Sequence, residues 1–378
     1  MRRMLLAAAA AAVFAVPCAA LAQQPIILKF SHVVSPDAPK GKASLKFKEL
    51  AEAYTNGKVK VEVYPNSSLY KDKEELEALQ LGSVQMLAPS ISKFGPLGIK
   101  EFDVFDLPFL MSDDARARQM YASPMMAELN KKLEAKGILP LYYWDNGAHV
   151  YTCNKPINMP DDFKGLKMRI QGSKVLDAAT RELGALPQIM AFSELYQALQ
   201  TGVVDGEDNV PSNILTQRFY EVQKYLTVSY HGRLTYGLIV NKKFWDGLPE
   251  DVRTALARAA KESTDFFNET AAKDNADALE KIKASGKLQF HVLTPDERKA
   301  WIAKLMPVHT EMQSRFGKDF IEKIYKASGK LEVHYLTDAE RKAWIAKLMP
   351  VHTEMQSRFG KDFIEKIYKA SGFTPPQS

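Results

Sequence analysis

Between Glu250 and Ser285 the chain runs for 36 residues without a glycine or a proline. Leu248-Pro249 opens this run and Gly286 closes it, which is the punctuation of a helix with proline at its first turn and glycine just past its end. At about 1.5 Å per residue, such a helix is on the order of 50 Å long if continuous. That exceeds the diameter of one small domain, so the helix is expected to run along two lobes. A coiled-coil dimer helix is the competing reading, but the Ala-rich, charged pattern sustains no heptad of large residues. The length of 378 residues agrees, leaving room for two domains of about 150 residues each.

The rest of the chain alternates strand and helix. Ile26 to Phe30 and Lys58 to Tyr64 read as strands, the second through its alternating valines. Between them, Leu45, Phe47, Leu50, Ala51 and Tyr54 show helical spacing over 42–56. A helix over 72–80 precedes a short apolar strand near 84–88. Further strands are expected at 138–144, 166–170 and 203–207, with helices at 173–183 and 194–201. Such alternation implies βαβ units and sheets covered by helices.

Composition excludes several classes. Hydrophobic residues make up 46% and charged residues 25%, with only two cysteines, which fits neither a disordered chain nor a disulfide-stapled one. The net charge of +6 is spread without a basic block, which argues against nucleic acid as the main partner. Residues 1–22 carry Arg2 and Arg3, an apolar run from Met4 to Val16, and the small-residue close Ala20-Leu21-Ala22. This is the layout of a cleavable signal peptide. Cleavage after Ala22 would leave a charge of +4 and one cysteine, Cys153, and so no internal disulfide.

The C-terminal region holds an exact repeat. Glu297 to Gly329 is identical to Glu340 to Gly372, at a period of 43 residues. Two copies are too few for a solenoid, and the rest of the chain does not share the period. Each copy opens on a capping pattern, Thr294 with Glu297 or Thr337 with Glu340. An amphipathic helix, a proline (Pro307 or Pro350) and a second short helix follow. A fold normally has one place for such an element, so the repeat reads as a recent tandem duplication or an artefact of assembly, one copy being redundant.

The sequence contains no GxSxG, P-loop, GxGxxG or HExxH pattern. Its informative blocks are WDNG (144–147), NKPI with PDDFKGLKMRI (154–170), AFSELYQALQTGVVDG (191–206) and Asn209. FSH near residue 30, DLPFL (106–110) and VNKKFWDGLPEDV (240–252) add to them. In these blocks the chain resembles the solute receptors of tripartite ATP-independent periplasmic (TRAP) transporters, closest to the four-carbon dicarboxylate (DctP) type. The resemblance covers the chain from about Ile27 to the end of the first repeat.

That resemblance implies an α/β, two-lobed periplasmic-binding-protein-like fold with an inter-lobe ligand cleft and a long helix bracing both lobes. Lobe I is expected from 26–146 with 235–274 and lobe II from 147–234 with 275–328, leaving 329–378 as the duplicate. It implies a periplasmic receptor that binds a small organic acid such as succinate, malate or fumarate and delivers it to TRAP membrane permease subunits, with no cofactor, metal or catalytic residue. Keto, hydroxy or aromatic acids are alternative ligands. The rival readings are a secreted enzyme using His149 or His32 as a base, and a sensory receptor with the same cleft.

By the same resemblance, Arg169 in KMRI is the residue that pairs the ligand carboxylate, for which a guanidinium offers a matching planar fork. Asn209 is its amide partner, and Phe192 the aromatic packed on the ligand. Asp208 stands where the family usually has glutamate. His149 occupies the place where receptors often carry Arg or Lys for the ligand's other end. His32, Ser90 and, more weakly, Lys93 are further cleft candidates.

Overall fold

Two mixed β-sheets, each assembled from segments distant in sequence, organise the chain. The structure is a computed structural model that describes residues 24–328 except 112, with five isolated positions beyond (347, 354, 358, 362 and 364). The expected leader, 1–22, lies outside the described residues, as does the duplicate, 329–378, apart from those five positions. The chain divides into two compact units, Met1–Lys330 and Leu331–Ser378, and the elements named here belong to the first.

The first sheet contains β1 (Ile26–Ser31), β2 (Val59–Tyr64), β3 (Met86–Leu87), β4 (Ile138–Ala148) and β10 (Arg233–Asn241), in the order β2-β1-β3-β10-β4. β1 is parallel to β2 and β3, whereas β10 runs antiparallel to β3 and β4. The helix Pro39–Tyr54 makes the β1–β2 crossover that a parallel pair requires. The second sheet contains β5 (Val150–Cys153), β6 (Lys167–Ile170), β7 (Leu186–Ile189), β8 (Gly206–Asn209), β9 (Tyr225–Val228) and β11 (Gln289–Val292). Its order is β11-β9-β5-β8-β6-β7.

The chain passes between the sheets three times. His149 alone separates β4 from β5, and residues 229–232 connect β9 to β10. These two crossings are tied together, His149 N donating to Gly232 O at 2.9 Å and Tyr230 N to His149 O at 3.1 Å. The third crossing is the long helix, Glu250–Ala284, with Glu250 and Asp251 in its first turn and Lys281 and Lys283 in its last. Those charges complement the helix dipole at both ends. Its residues from Val252 to Ala271 pack in the core of the first sheet, and Ile282 packs with the second. Trp144 stacks on Phe267 at 5.0 Å and donates to Thr264 Oγ1 at 2.8 Å. About two turns further on, Asn275 donates to Asn146 O at 2.7 Å and accepts from Ser212 N at 2.9 Å. The helix therefore braces both lobes, and the WDNG block is one of its seats.

Two expectations shift. The strand expected at 203–207 forms at Gly206–Asn209, and Val203 is exposed. Gly202, at φ +74°, ends the helix Leu195–Thr201, so the chain must turn before it can pair. Gly206 itself has no room for a side chain, since a Cβ there would sit 2.4 Å from Thr152 O. In the first repeat copy, the helix Pro295–Glu311 continues through Pro307. His309 holds it beyond the proline, one ring nitrogen on Tyr325 Oη at 2.6 Å and the other on Pro108 O at 2.7 Å. The expected Thr294–Glu297 capping box is present at its start. Trp301, Leu305, Val308, Ile321 and Ile324 of this copy are buried in the core with Phe163 and Met168.

Candidate functional site

Arg169 lies one residue before the end of β6 and is buried. Its Nε and Nη2 both donate to Met190 O, at 3.2 and 3.0 Å, so the segment after β7 fixes one edge of the fork. The Phe192 ring lies 5.8 Å from its Cζ. Arg169 borders a cavity to which Lys40, Ser90, Lys93 and Tyr236 contribute from the first sheet and its helices, and Phe192, Asn209 and Asn213 from the second. This cavity opens towards a larger cleft that shares Asp72, Lys93, Arg169 and Gln171.

Asn209, the last residue of β8, is oriented by a network. Its Nδ2 donates to Glu207 Oε2 at 3.0 Å, and its Oδ1 accepts from Asn213 Nδ2 at 2.9 Å. Asn213 Nδ2 and Asn146 Nδ2 in turn donate to Tyr236 Oη, at 3.1 and 3.3 Å. Burial pushes Glu207 up to about 7 despite its bonds to Asn209 and Thr152. The network holds the amide rigid before any ligand arrives, which is what preorganised recognition needs.

Cations dominate the lining. Lys93 is ion-paired with Asp72 and with Glu75, the latter at 2.7 Å. Burial alone would raise Asp72, but the charges of Lys93 and Arg169 outweigh it and hold the carboxyl at about 2. Asp72 also accepts from Phe192 N at 2.5 Å, linking the two sides of the cavity. Lys40 donates to Ala88 O at 2.9 Å and sits 3.8 Å over the Tyr236 ring. With Lys40 charged, the cations Arg169, Lys40 and Lys93 outnumber the acids Asp72 and Glu75, which suits an anion.

Five of the sequence candidates therefore share one cavity: Arg169, Asn209, Phe192, Ser90 and Lys93. His149, expected at the ligand's far end, is not in its lining. It borders a second cavity that also touches Arg169, Asp106, Asp208 and His231. The cause is local: the His149 backbone is held at the crossing and its Nδ1 lies 2.6 Å from Asp208 Oδ2. His231, from the neighbouring crossing, places Nε2 3.4 Å from the same oxygen. Burial would raise Asp208, but the two histidines outweigh it and hold it well below the usual carboxylate range. His32 is buried and lines neither cavity, and burial with the nearby Lys40 charge pushes it down to about 3. It is neutral at physiological pH and unsuited to pairing a carboxylate.

Sequence reasoning passed over Lys40, Asp72, Asn213 and Tyr236. For Lys40 a signal existed: it falls on the buried face of its helix with Ala43, Phe47 and Ala51, where a lysine needs a reason.

Neither metal nor nucleophilic chemistry is needed to account for the second cavity. His149, Asp208 and His231 bring three ligand atoms within 4.8 Å of one another, but their mutual hydrogen bonds already explain the cluster. Ser229 Oγ lies 2.7 Å from His231 Nδ1, completing a Ser-His-Asp series. Ser229 is fully buried and lines neither cavity, so no substrate reaches it.

Residues 30–316 match the bacterial extracellular solute-binding protein family 7, DctP. The C4-dicarboxylate-binding periplasmic protein DctP of Rhodobacter capsulatus is 60% identical over 301 residues, covering 80% of this chain and 90% of the relative. The C4-dicarboxylate-binding protein DctB of Bacillus subtilis is 40% identical over 303 residues, covering 80% and 86%. Among solved structures, a TRAP periplasmic solute-binding protein of Shewanella oneidensis with bound succinate superposes with a TM-score of 0.78 at 40% identity, over 80% of this chain and 99% of that one. One from Pseudomonas aeruginosa with bound L-malate gives 0.74 at 42% identity, over 76% and 100%.

Proposed function

Because the chain belongs to the family 7 bacterial extracellular solute-binding proteins, the DctP receptors of TRAP transporters, we propose that its inter-sheet cavity captures a four-carbon dicarboxylate in the periplasm. The protein carries the acid to a TRAP permease and performs no chemistry on it. Relatives with succinate and L-malate bound support this ligand class.

The observation that carries the reading is the buried, half-tethered Arg169 fork in a cavity with an excess of positive charge. One guanidinium edge is fixed on Met190 O, and the rest of the fork takes a ligand carboxylate. Asn209 and Ser90 supply further polar contacts, and Phe192 packs on the carbon chain. Lobe I (26–146 with 235–274) and lobe II (147–234 with 275–328) are the bodies that close on the ligand, and the crossings at His149 and 229–232 are the hinge. Closure expels water, so each charge-assisted bond acts in a low dielectric.

Micromolar affinity requires about −8 kcal/mol. For succinate, with about eight heavy atoms, this is about −1 kcal/mol per atom, within the limit for very small ligands. A cleft that closes over the ligand meets that demand and a shallow groove does not.

The test is calorimetry of the mature protein against succinate, malate and fumarate, with a neutral sugar as control, alongside native mass spectrometry for acid retained on purification. Saturable one-to-one binding of the acids alone supports the reading, and binding of the sugar with equal affinity contradicts it.

A further inference from the structure

Among the described residues, Lys40 is a buried lysine with no carboxylate of its own. Its Nζ has a carbonyl, Ala88 O, and an aromatic face, Tyr236, but neither carries a formal charge. The nearest acids, Asp72 and Glu75, are engaged by Lys93. Burying an ammonium without a counter-ion is costly, and such a group persists where a visiting anion completes it.

The charged and titratable groups facing Lys40 come from each element around it. Lys93, after β3, repels it, while Glu75 and Asp72, on and before the helix Glu75–Leu81, attract it. His32, after β1, is neutral, and Tyr236 on β10 is held protonated, burial pushing it up to about 12. Burial and the Lys93 charge together bring Lys40 down to about 7.

We propose that Lys40 is the residue that selects dicarboxylates, pairing the ligand's second carboxylate while Arg169 holds the first. Arg169 enters the cavity from the second sheet and Lys40 from the helix after β1, so a ligand with an acid at each end ties the two lobes together. This rests on the reading that Arg169 anchors an acid.

Proton linkage follows. A carboxylate beside Lys40 raises its pKa, so ligand binding takes up a proton wherever the free protein holds Lys40 neutral, which is above about pH 7. Below that pH the lysine is already charged and uptake fades. Dicarboxylate affinity accordingly falls as pH rises above neutral, by up to about tenfold per pH unit. Glu207, at about 7 behind Asn209, also titrates in this window, so a variant is needed to assign the proton.

The experiment is calorimetry with succinate and with its half-amide succinamate, which keeps the length and one carboxylate. It is run at pH 6.5 and 8.5, in two buffers of different ionisation enthalpy, on the wild type and Lys40→Gln. The wild type should prefer succinate by about tenfold to a hundredfold, the worth of a hydrogen-bonded charge. It should take up close to one proton with succinate at pH 8.5 and much less at pH 6.5. Lys40→Gln should weaken succinate far more than succinamate and abolish the extra proton. An unchanged preference or unchanged uptake in the variant overturns the inference and assigns the proton to Glu207. Should Lys40→Gln fail to fold, the wild type decides: uptake with succinate but not succinamate supports the proposal, and equal uptake overturns it. A wild type that binds neither acid overturns the Arg169 reading and this one with it.

Discussion

Replacing Arg169 with alanine tests the anchoring reading through its energetics. Arg169 is only 4% exposed, and the proposed closure of the lobes would exclude bulk water from the cavity it borders. A ligand carboxylate left there without its guanidinium is a buried charge missing its partner, a loss of roughly 3–5 kcal/mol. At about 1.4 kcal/mol per decade, binding weakens by about a hundredfold to several thousandfold. Arg169→Lys separates charge from shape. An ammonium cannot hold Met190 O through two donors, as the guanidinium does at 3.2 and 3.0 Å, and still offer a fork to the ligand. A loss of about tenfold or more should therefore persist with charge retained. Lys93 remains paired with Asp72 and Glu75 in both variants, so the fold should survive, which a thermal melt checks. Titration calorimetry with succinate at pH 7 reads the affinities. Wild-type affinity within about threefold in Arg169→Ala, in a folded protein, refutes the reasoning.

Three other predictions concern the hinge, the polar network and the repeat. Asp208→Asn removes the anion shared by His149 and His231 and should destabilise the fold by roughly 2–4 kcal/mol at pH 7. Because the folded Asp208 pKa is depressed, its stabilisation is present above the unfolded carboxyl pKa and lost as pH falls below it. Urea unfolding should therefore show the wild-type advantage shrinking by pH 3.5. Glu207 behaves oppositely: its pKa rises to about 7, so ionising it between about 4.5 and 7 costs the folded state. Glu207→Gln should gain on the wild type across that window, by on the order of 3 kcal/mol, and then level off, as unfolding at pH 5 and 8 would reveal. Deleting Leu331–Ser378 should lower the melting temperature by no more than a few degrees, since the first copy already fills the core with Trp301, Leu305 and Val308. Loss of succinate binding in that truncation would show that the second copy is required.

What could be read from sequence depended on how strongly local chemistry spoke. The long helix was legible because 36 residues lack Gly and Pro, and β2 because its valines alternate. β10 gave no such pattern, since Leu234 to Val240 are all buried and show no period. β9 and β11, at four residues each, carry too little signal. The site was read through its blocks, which brought Arg169, Asn209, Phe192 and Ser90 to attention. Lys40 escaped because the helix was read from residue 42, whereas it begins at Pro39 and carries Lys40 on its buried face. His149 lines the second of the two cavities that Arg169 borders for a related reason: only the folded crossing shows Asp208 within reach of its ring.

The central claim is that the cavity between the two sheets holds an organic dianion on Arg169. A crystal structure of the mature protein with saturating succinate tests it most directly. The account predicts one succinate between the sheets, with a carboxylate within about 3 Å of the Arg169 guanidinium and its carbon chain against Phe192. Succinate bound elsewhere, or an Arg169 fork facing only water while calorimetry reports a bound ligand, would contradict it.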